Sequence, residues 1–480
     1  MRLMTDIKKS KTRFLTLCYF LVLKAAFGQQ APNIILIMTD DQGYFDTGFN
    51  GNGTIMTPNL DSLAAKGVIL DRFYSASAVC SPTRASVITG RNPYRMDIPE
   101  ANSGHMKTQE ITIAELVKEK GYATGHFGKW HLGIQTKKEL DANRGGKEKN
   151  FNHYSIPSMH GYDTYFCTES KVPTYDPMIY PKVFKEGESK KYGWTAISSD
   201  EKSMDYNTAY WIGEEKKATG ELNGDDTMII LDKVIPFIQQ AVSDKKPFFT
   251  TIWTHAPHLP VVTSEYYKSK YSLLSNKEQL YYGAITALDD QIGCLWEELE
   301  TQGIADNTIL WFCSDNGPEN NTPGSAKPFK GKKRSLHEGG LRTPSFVVWC
   351  NGINGGRRAD FPAVTSDYLP TITALLDIEY PDDRPLDGVD LMPFIENDTL
   401  KRLKPIGFKF KDQISWVNHR YKLISKNNGT TYQLYDLIND KEERYNILAI
   451  ESTVAVQMMT ELEGWLRSVE ESSEEKDYPN

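Results

Sequence analysis

Cysteine is scarce in this chain, six in 480 residues, and beyond the first 28 residues only Cys80, Cys167, Cys294, Cys313 and Cys350 remain. An odd, scattered set of thiols indicates neither a disulfide framework nor a cysteine-based zinc site, and assigns no disulfide pair. Long apolar runs are missing too. The stretch from Phe14 to Leu23 stops at Lys24, short of the roughly 20 residues a membrane span needs. Positive charge is in deficit, with 55 Lys and Arg against 63 Asp and Glu. The first 28 residues hold six basic residues against Asp6, so their removal takes the net charge from −8 to −13. Such an acidic body argues against general nucleic-acid binding and makes any local basic cluster informative. No internal repeat is visible.

What the chain does have begins with "KKSKTR", then "FLTLCYFLVL" and "KAAFG". A charged start, a short apolar stretch and small residues predict a secretory signal over residues 1–28. The mature protein is therefore expected to be exported, to the periplasm or beyond, with no stable membrane anchor. Its length predicts two domains with one dominant, over residues 29–396 and 397–480. "NIILIMT" from Asn33 reads as a strand buried on both faces and ends in Asp40 and Asp41. "GYATGHFGKWHLG" supplies a second strand, followed by Lys129 and His131. "KPFFTTIWTHAPHLP" runs into His255 and His258, and "NTILWFCSDNGPE" into Asp315 and Asn316. Helical signals separate them, including the Thr-x-x-Glu capping box at Thr112. Polar residues at the carboxyl ends of four apolar strands predict an open, mostly parallel α/β sheet with a ligand crevice there. Residues 134–225 read as a long irregular insertion. After Asn397, short alternating runs and a helical segment predict a small antiparallel sheet with a helix, and "ESSEEKDYPN" a disordered acidic tail.

Asp40, Asp41, Asp315 and Asn316 are hard oxygen donors, suited to Ca²⁺ or Mg²⁺ rather than zinc. The segment "SAVCSPTRASVITGR" opens a helix, with Ser81 as expected N-cap, Pro82 in the first turn and Gly90 as terminator. That reading leaves Cys80 unexplained. A thiol at a helix N-terminus with Arg84 one turn on favours an anion, but sulfur is the wrong donor for a hard cation, which points to chemistry done on the cysteine. Arg84, Lys129, His131, His258 and Lys333 are cationic or neutral donors, the set that a multiply negative tetrahedral ester opposite a hard cation would need. Lys129 and His131 alternate, so an extended backbone would point both the same way. Lys333 is one of five basic residues between Lys327 and Arg334, and basicity does not choose among them.

These residues, in this order, resemble the formylglycine-dependent (type I) sulfatases of the alkaline phosphatase superfamily. "CSPTR" is similar to the family's Cys-x-Pro-x-Arg motif, "GYATGHFGKWHLG" to its second signature, and "SDNG" and "GKKRSLHEGGLRTP" follow in family order. The resemblance runs from "NIILIMTDDQG" to "YQLYDLINDKEERYN". It implies a large mostly parallel sheet sandwiched by helices, with a small C-terminal antiparallel sheet plus helix. It further implies that a maturation enzyme converts Cys80 to formylglycine, whose hydrate is both nucleophile and metal ligand. Asp40, Asp41, Asp315 and Asn316 would hold one Ca²⁺, with Asp315 also helping to deprotonate the hydrate and Arg84 steadying it. Lys129 and Lys333 would bind sulfate oxygens, His258 would act as general acid, and His131 would assist release of sulfate. Lys333 is chosen over Lys332 by its spacing to Glu338, and His258 over His255 by "APHLP", leaving His255 to line the substrate pocket. The expected substrate is a sulfated oligosaccharide or polysaccharide, such as ulvan or carrageenan. The alternatives are a glycosaminoglycan or aryl sulfate, or a phosphonate monoester or phosphodiester.

Overall fold

Strand β1 (Asn33–Thr39) is buried along its whole length, and its alternation shows how the molecule is layered. Ile34, Leu36 and Met38 join one apolar cluster, while Ile35 and Ile37 join another on the opposite face. The computed structural model describes residues 31–181 and 204–478, so the expected signal at 1–28 lies outside the described residues. Around β1 the chain adds β2 (Val68–Leu70), β3 (Phe73–Tyr74), β4 (Ala123–Lys129), β5 (Thr164–Thr168), β6 (Trp211–Gly213) and β7 (Lys216–Lys217). It continues with β8 (Phe248–Trp253), β9 (Thr308–Ser314), β10 (Phe346–Val348), β11 (Arg357–Ala359) and β12 (Ala363–Val364). Ten of these form one sheet in the order β11-β2-β10-β9-β1-β8-β4-β5-β6-β7. Its centre, β9-β1-β8-β4-β5, is parallel, and β10, β6 and β7 pair antiparallel toward the margins.

Helices cover both faces, as parallel strands joined by crossovers demand. Leu60 and Leu63 of Pro58–Lys66, Ile230 and Val234 of Asp226–Ser243, and Leu288 and Ile292 of Asn276–Thr301 pack on one side. Val87 of Cys80–Thr89, Leu116 of Ile113–Glu119 and Leu369 of Tyr368–Leu375 pack on the other. The Thr112 capping box forms as its spacing predicts. No helix among the described residues is long and apolar enough to cross a membrane.

Near the C-terminus, β13 (Ile406–Phe410), β14 (Gln413–Val417), β15 (Tyr421–Ser425) and β16 (Gln433–Asp436) form an antiparallel meander. One face packs Ile414, Trp416 and Leu423 against Met458 and Leu462 of helix Ser452–Ser473. The other packs Phe408, Val417 and Ile424 against Tyr74, Leu336 and Leu341.

Three expectations are corrected. The "irregular" insertion contributes β5, β6 and β7 to the main sheet. The acidic tail is ordered through residue 478, because its charges find partners: Glu475 with Lys107 at 2.8 Å and Asp477 with buried Arg91 at 2.7 Å. The helix of the "CSPTR" segment starts at Cys80 with Val79 as N-cap. Ser81 donates instead to the His131 carbonyl at 2.5 Å.

Candidate active site

Four adjacent parallel strands, β9, β1, β8 and β4, end side by side, and the ionisable residues following them meet there. Asp40 and Asp41 leave β1, Asp315 and Asn316 leave β9, Lys129 closes β4, and His258 lies five residues past β8. Asp315 N–H donates to the Thr39 carbonyl at 3.0 Å, and Asp315 Oδ1 accepts from Asp41 N–H at 3.1 Å. Those bonds lock the two strand ends together. Asp41 pays for its position with a left-handed φ of 63°, the kind of local strain that clusters at functional sites. Cys80 enters from the side, at the N-terminus of its helix, and the ligand atoms of Asp40, Cys80 and Asp315 lie within 4.8 Å of one another.

The carboxylates are fully buried and faced by an equal number of cations. Lys129 Nζ lies 2.6 Å from Asp40 Oδ2, Lys333 Nζ 2.5 Å from Asp41 Oδ1, and Arg84 Nη2 2.7 Å from Asp315 Oδ2. Burial works to raise the Asp40 carboxyl, but positive neighbours outweigh it and hold the group well below its usual range. His258 is the strongest of these neighbours when protonated. Burial, however, pushes His258 itself down to about 4, so near neutral pH Lys129, Arg84 and Lys333 carry the effect. Asp315 is pushed up to about 7 by burial and then by the charge of Asp40, with Arg84 opposing. Burial also pushes the Cys80 thiol up, which makes it a poor nucleophile as a thiol.

The donor set fits a hard divalent cation. Asp40 Oδ1 and Asn316 Oδ1 are buried with no hydrogen-bond partner among the described residues. A cation between them would satisfy both orphan oxygens, and its charge would lower the raised Asp315 carboxyl. Sulfur at position 80 is the one misfit in an otherwise oxygen-rich group, and a residue bearing oxygen there would complete it.

A cavity of about 650 Å³ opens above this floor and is lined by Cys80, Lys129, His131, His258 and Lys333 among others. Arg84 lies beneath it, fully buried. His131 reaches the cavity by a different route from the one its alternation with Lys129 suggests. Its backbone turns left-handed, φ 59°, two residues past β4. His131 Nε2 meets Asn102 Oδ1 at 2.9 Å, and Nδ1 is buried with no hydrogen-bond partner among the described residues. Because a carboxamide oxygen only accepts, Nε2 carries the proton and Nδ1 is the basic nitrogen. His258 Nδ1 is 2.6 Å from the Leu259 carbonyl, which leaves Nε2 unprotonated, 3.6 Å from Asp41 Oδ2.

His255 does not line the cavity. It is fully buried, with Nδ1 2.7 Å from Asp226 and Nε2 2.7 Å from Thr168 Oγ1, and its carbonyl accepts from His258 N–H. It braces the ends of β5 and β8 from behind. The residues that do complete the walls include Asn102, Asn143, Ser170, Lys171, Glu319 and Lys411. Lys171 lies three residues past β5 and would have followed from the strand-end pattern had β5 been recognised. Lys411 comes from the β13–β14 turn of the C-terminal sheet, for which the sequence holds no local signal.

The model of one protein family, Sulfatase, matches residues 32–378. The chain belongs to the sulfatase family. Over 390 residues this sulfatase is 31% identical to the N-acetylgalactosamine-6-sulfatase of Mus musculus, covering 77% of this chain and 67% of that protein. The steryl-sulfatase of Homo sapiens is 28% identical over 441 residues, 81% of this chain and 74% of that one. Among solved structures, Ps i-CgsB in complex with k-i-k-neocarrahexaose superposes with a TM-score of 0.75 at 28% identity, covering 91% of this chain and 93% of that chain. The enzyme is a sulfuric ester hydrolase. The five cysteines among the described residues are all unpaired.

Proposed function

We propose that this sulfatase acts on sulfated carbohydrate, using Cys80 converted to formylglycine and one calcium ion. The observation that carries the reading is the cavity floor, where Cys80, three buried carboxylates and the cations Arg84, Lys129 and Lys333 converge. A formylglycine hydrate at position 80 would supply an oxygen nucleophile, and calcium held by Asp40, Asp41, Asp315 and Asn316 would supply fixed positive charge. Around that chemistry, the residues divide the work. Lys129 and Lys333 bind the sulfate oxygens and neutralise charge as it builds on them. Arg84, 2.7 Å from Asp315, would fix that carboxylate, and Asp315 would take a proton from the group at position 80. His258 would act as proton donor to the leaving oxygen through Nε2, which would take up a proton once the anionic ester beside it offsets the burial that lowers its proton affinity. His131, its tautomer set by Asn102, offers Nδ1 as a base for the release of sulfate.

A sugar substrate is supported by the polar cavity walls, by the sugar-bound neighbour Ps i-CgsB and by the sulfatase relatives. We favour an oligosaccharide of carrageenan or ulvan type, and propose export to the periplasm from the N-terminal pattern. The test is free sulfate measured by ion chromatography after incubation with algal and glycosaminoglycan oligosaccharides and an aryl sulfate. The protein used is one whose Cys80 peptide is shown by mass spectrometry to be converted. Release from a sugar class supports the reading. Release from the aryl sulfate alone, or silence with calcium present, overturns it, and silence directs the next assay to phosphonate and phosphodiester substrates.

A further inference from the structure

We propose that Lys171 binds a second anionic group of the substrate, distinct from the ester sulfate. The enzyme would therefore select sugars that carry two negative charges near one another. The proposal rests on the sulfatase reading of the cavity and deepens it. The cavity holds five Lys and Arg side chains: Lys129, Lys171, Lys333, Arg334 and Lys411. Four have carboxylate partners: Lys129 with Asp40, Lys333 with Asp41, Arg334 with Glu319 at 2.8 Å, and Lys411 with Glu100 at 3.4 Å. Lys171 has none among the described residues. Partial burial of its stem, and then the like charges of Lys129 and Lys333, draw its ammonium below the ordinary lysine value.

A lysine on a cavity wall that faces like charges and lacks a carboxylate is relieved by an anion entering the cavity. The ester sulfate already has Lys129 and Lys333 at the floor. Lys171 lines the same cavity but is exposed, whereas Lys129 and Lys333 are buried, so the group it meets belongs to another position of the sugar. Its backbone is held firmly. Thr168 Oγ1 donates to the Ser170 carbonyl at 2.8 Å and is itself held by His255 and, through it, by Asp226. The charge is thus delivered from a braced strand end. Asn143 and Ser170 also line the cavity and offer polar groups to sugar hydroxyls.

Direct binding tests this without turnover. Calcium-loaded protein with unconverted Cys80, otherwise the whole mature chain, is titrated by calorimetry with N-acetylgalactosamine 6-sulfate and with the 4,6-disulfate. Galactose 6-sulfate and 2,6-disulfate form a second pair, and a uronyl disaccharide bearing a single 6-sulfate supplies a carboxylate. We expect at least one doubly charged sugar to bind roughly tenfold to a hundredfold more tightly than its monosulfate, the worth of one charge-assisted contact. That advantage should collapse in Lys171→Ala and survive in Lys171→Arg. A gain with a disulfate identifies the second group as sulfate, and a gain with the uronyl sugar as carboxylate. The proposal is overturned by an advantage that persists in Lys171→Ala, or by equal weakening of single and double anions. It also fails when no doubly charged sugar is preferred by the native chain. Failure of the sulfatase reading would register separately, as absence of sulfate release by converted enzyme.

Discussion

Replacing Lys422 by methionine should lower stability and turnover together, although the residue lies on β15 of the small sheet, outside the cavity wall. Lys422 is fully buried, with Nζ 2.9 Å from Glu338 and 3.1 Å from Glu443. Glu338 also meets Arg342 at 2.9 Å and accepts from Tyr74 Oη at 3.0 Å. Removing one partner of a buried charge pair costs about 3–5 kcal/mol, and because Arg342 remains on Glu338 the lower end, about 3 kcal/mol, applies. An unfolding entropy of about 2.1 cal/mol/K per residue over 480 residues is roughly 1 kcal/mol/K, so the melting temperature should fall about 3 °C at pH 7. The pH dependence gives a sharper check. Burial would raise Glu338, but Lys422 and then Arg342 bring it down to about 2, below its ordinary 4.5. A carboxyl depressed on folding contributes stability above the unfolded value, and that contribution drains away as pH falls toward the folded one. The gap between native and variant melting temperatures should therefore be full at pH 6 to 7 and narrow below about 4.5. Glu338 stands five residues after Lys333, so a loosened anchor should also misplace that ammonium, at a cost of up to about 10²-fold in turnover. Differential scanning calorimetry and sulfate release measure both effects. An unchanged melting temperature at neutral pH, or a gap that widens on acidification, would refute the reasoning.

Other perturbations separate the parts of the site. Lys333→Ala should lose on the order of 10²–10³ in turnover as one preorganised donor disappears. Lys332→Ala should stay near native, because Lys332 Nζ donates to the Gly324 carbonyl at 2.8 Å; near-normal turnover in the first and a dead second would reverse the assignment. Calcium added to chelator-treated protein should raise thermal stability by about 2.7 kcal/mol at a hundred times its Kd, and Asp41→Asn should abolish most of that shift in a thermal melt. Asn102→Ala should lower kcat roughly tenfold with KM unchanged, a fraction of what general acid–base catalysis supplies. Asn102→Asp should move the pH profile upward as the new carboxylate favours protonated His131.

The residues legible in the sequence are those whose position follows from one strand. Asp40 and Asp315 come immediately after a strand and Lys129 closes one, and the pleat and parallel pairing carry them to the same edge without further information. His255 shows the limit of that rule. It also follows a strand, but whether a strand-end side chain turns toward the cavity or away depends on what waits on each side, here Asp226 and Thr168. Asn102 and Lys411 are set by loops whose paths are fixed by contacts hundreds of residues away, such as Tyr94 Oη accepting from Lys411 N–H at 3.2 Å.

The C-terminal tail shows the same physics acting through charge. Its composition is that of a chain too polar to bury, which reads as disorder because composition counts charges without their partners. In the fold, Arg91 lies two residues past the Cys80 helix and is fully buried, 3.3 Å from Glu110. Asp477 meets Nη2 of the same guanidinium at 2.7 Å, and Tyr478 Oη donates to Glu110 at 2.7 Å. Two buried, opposite charges with unused hydrogen-bonding capacity are a costly arrangement that the tail completes. The acidic segment is ordered because the helix bearing Cys80 ends beside an arginine that needs it, which ties the last residues of the described chain to the element that carries the reactive position.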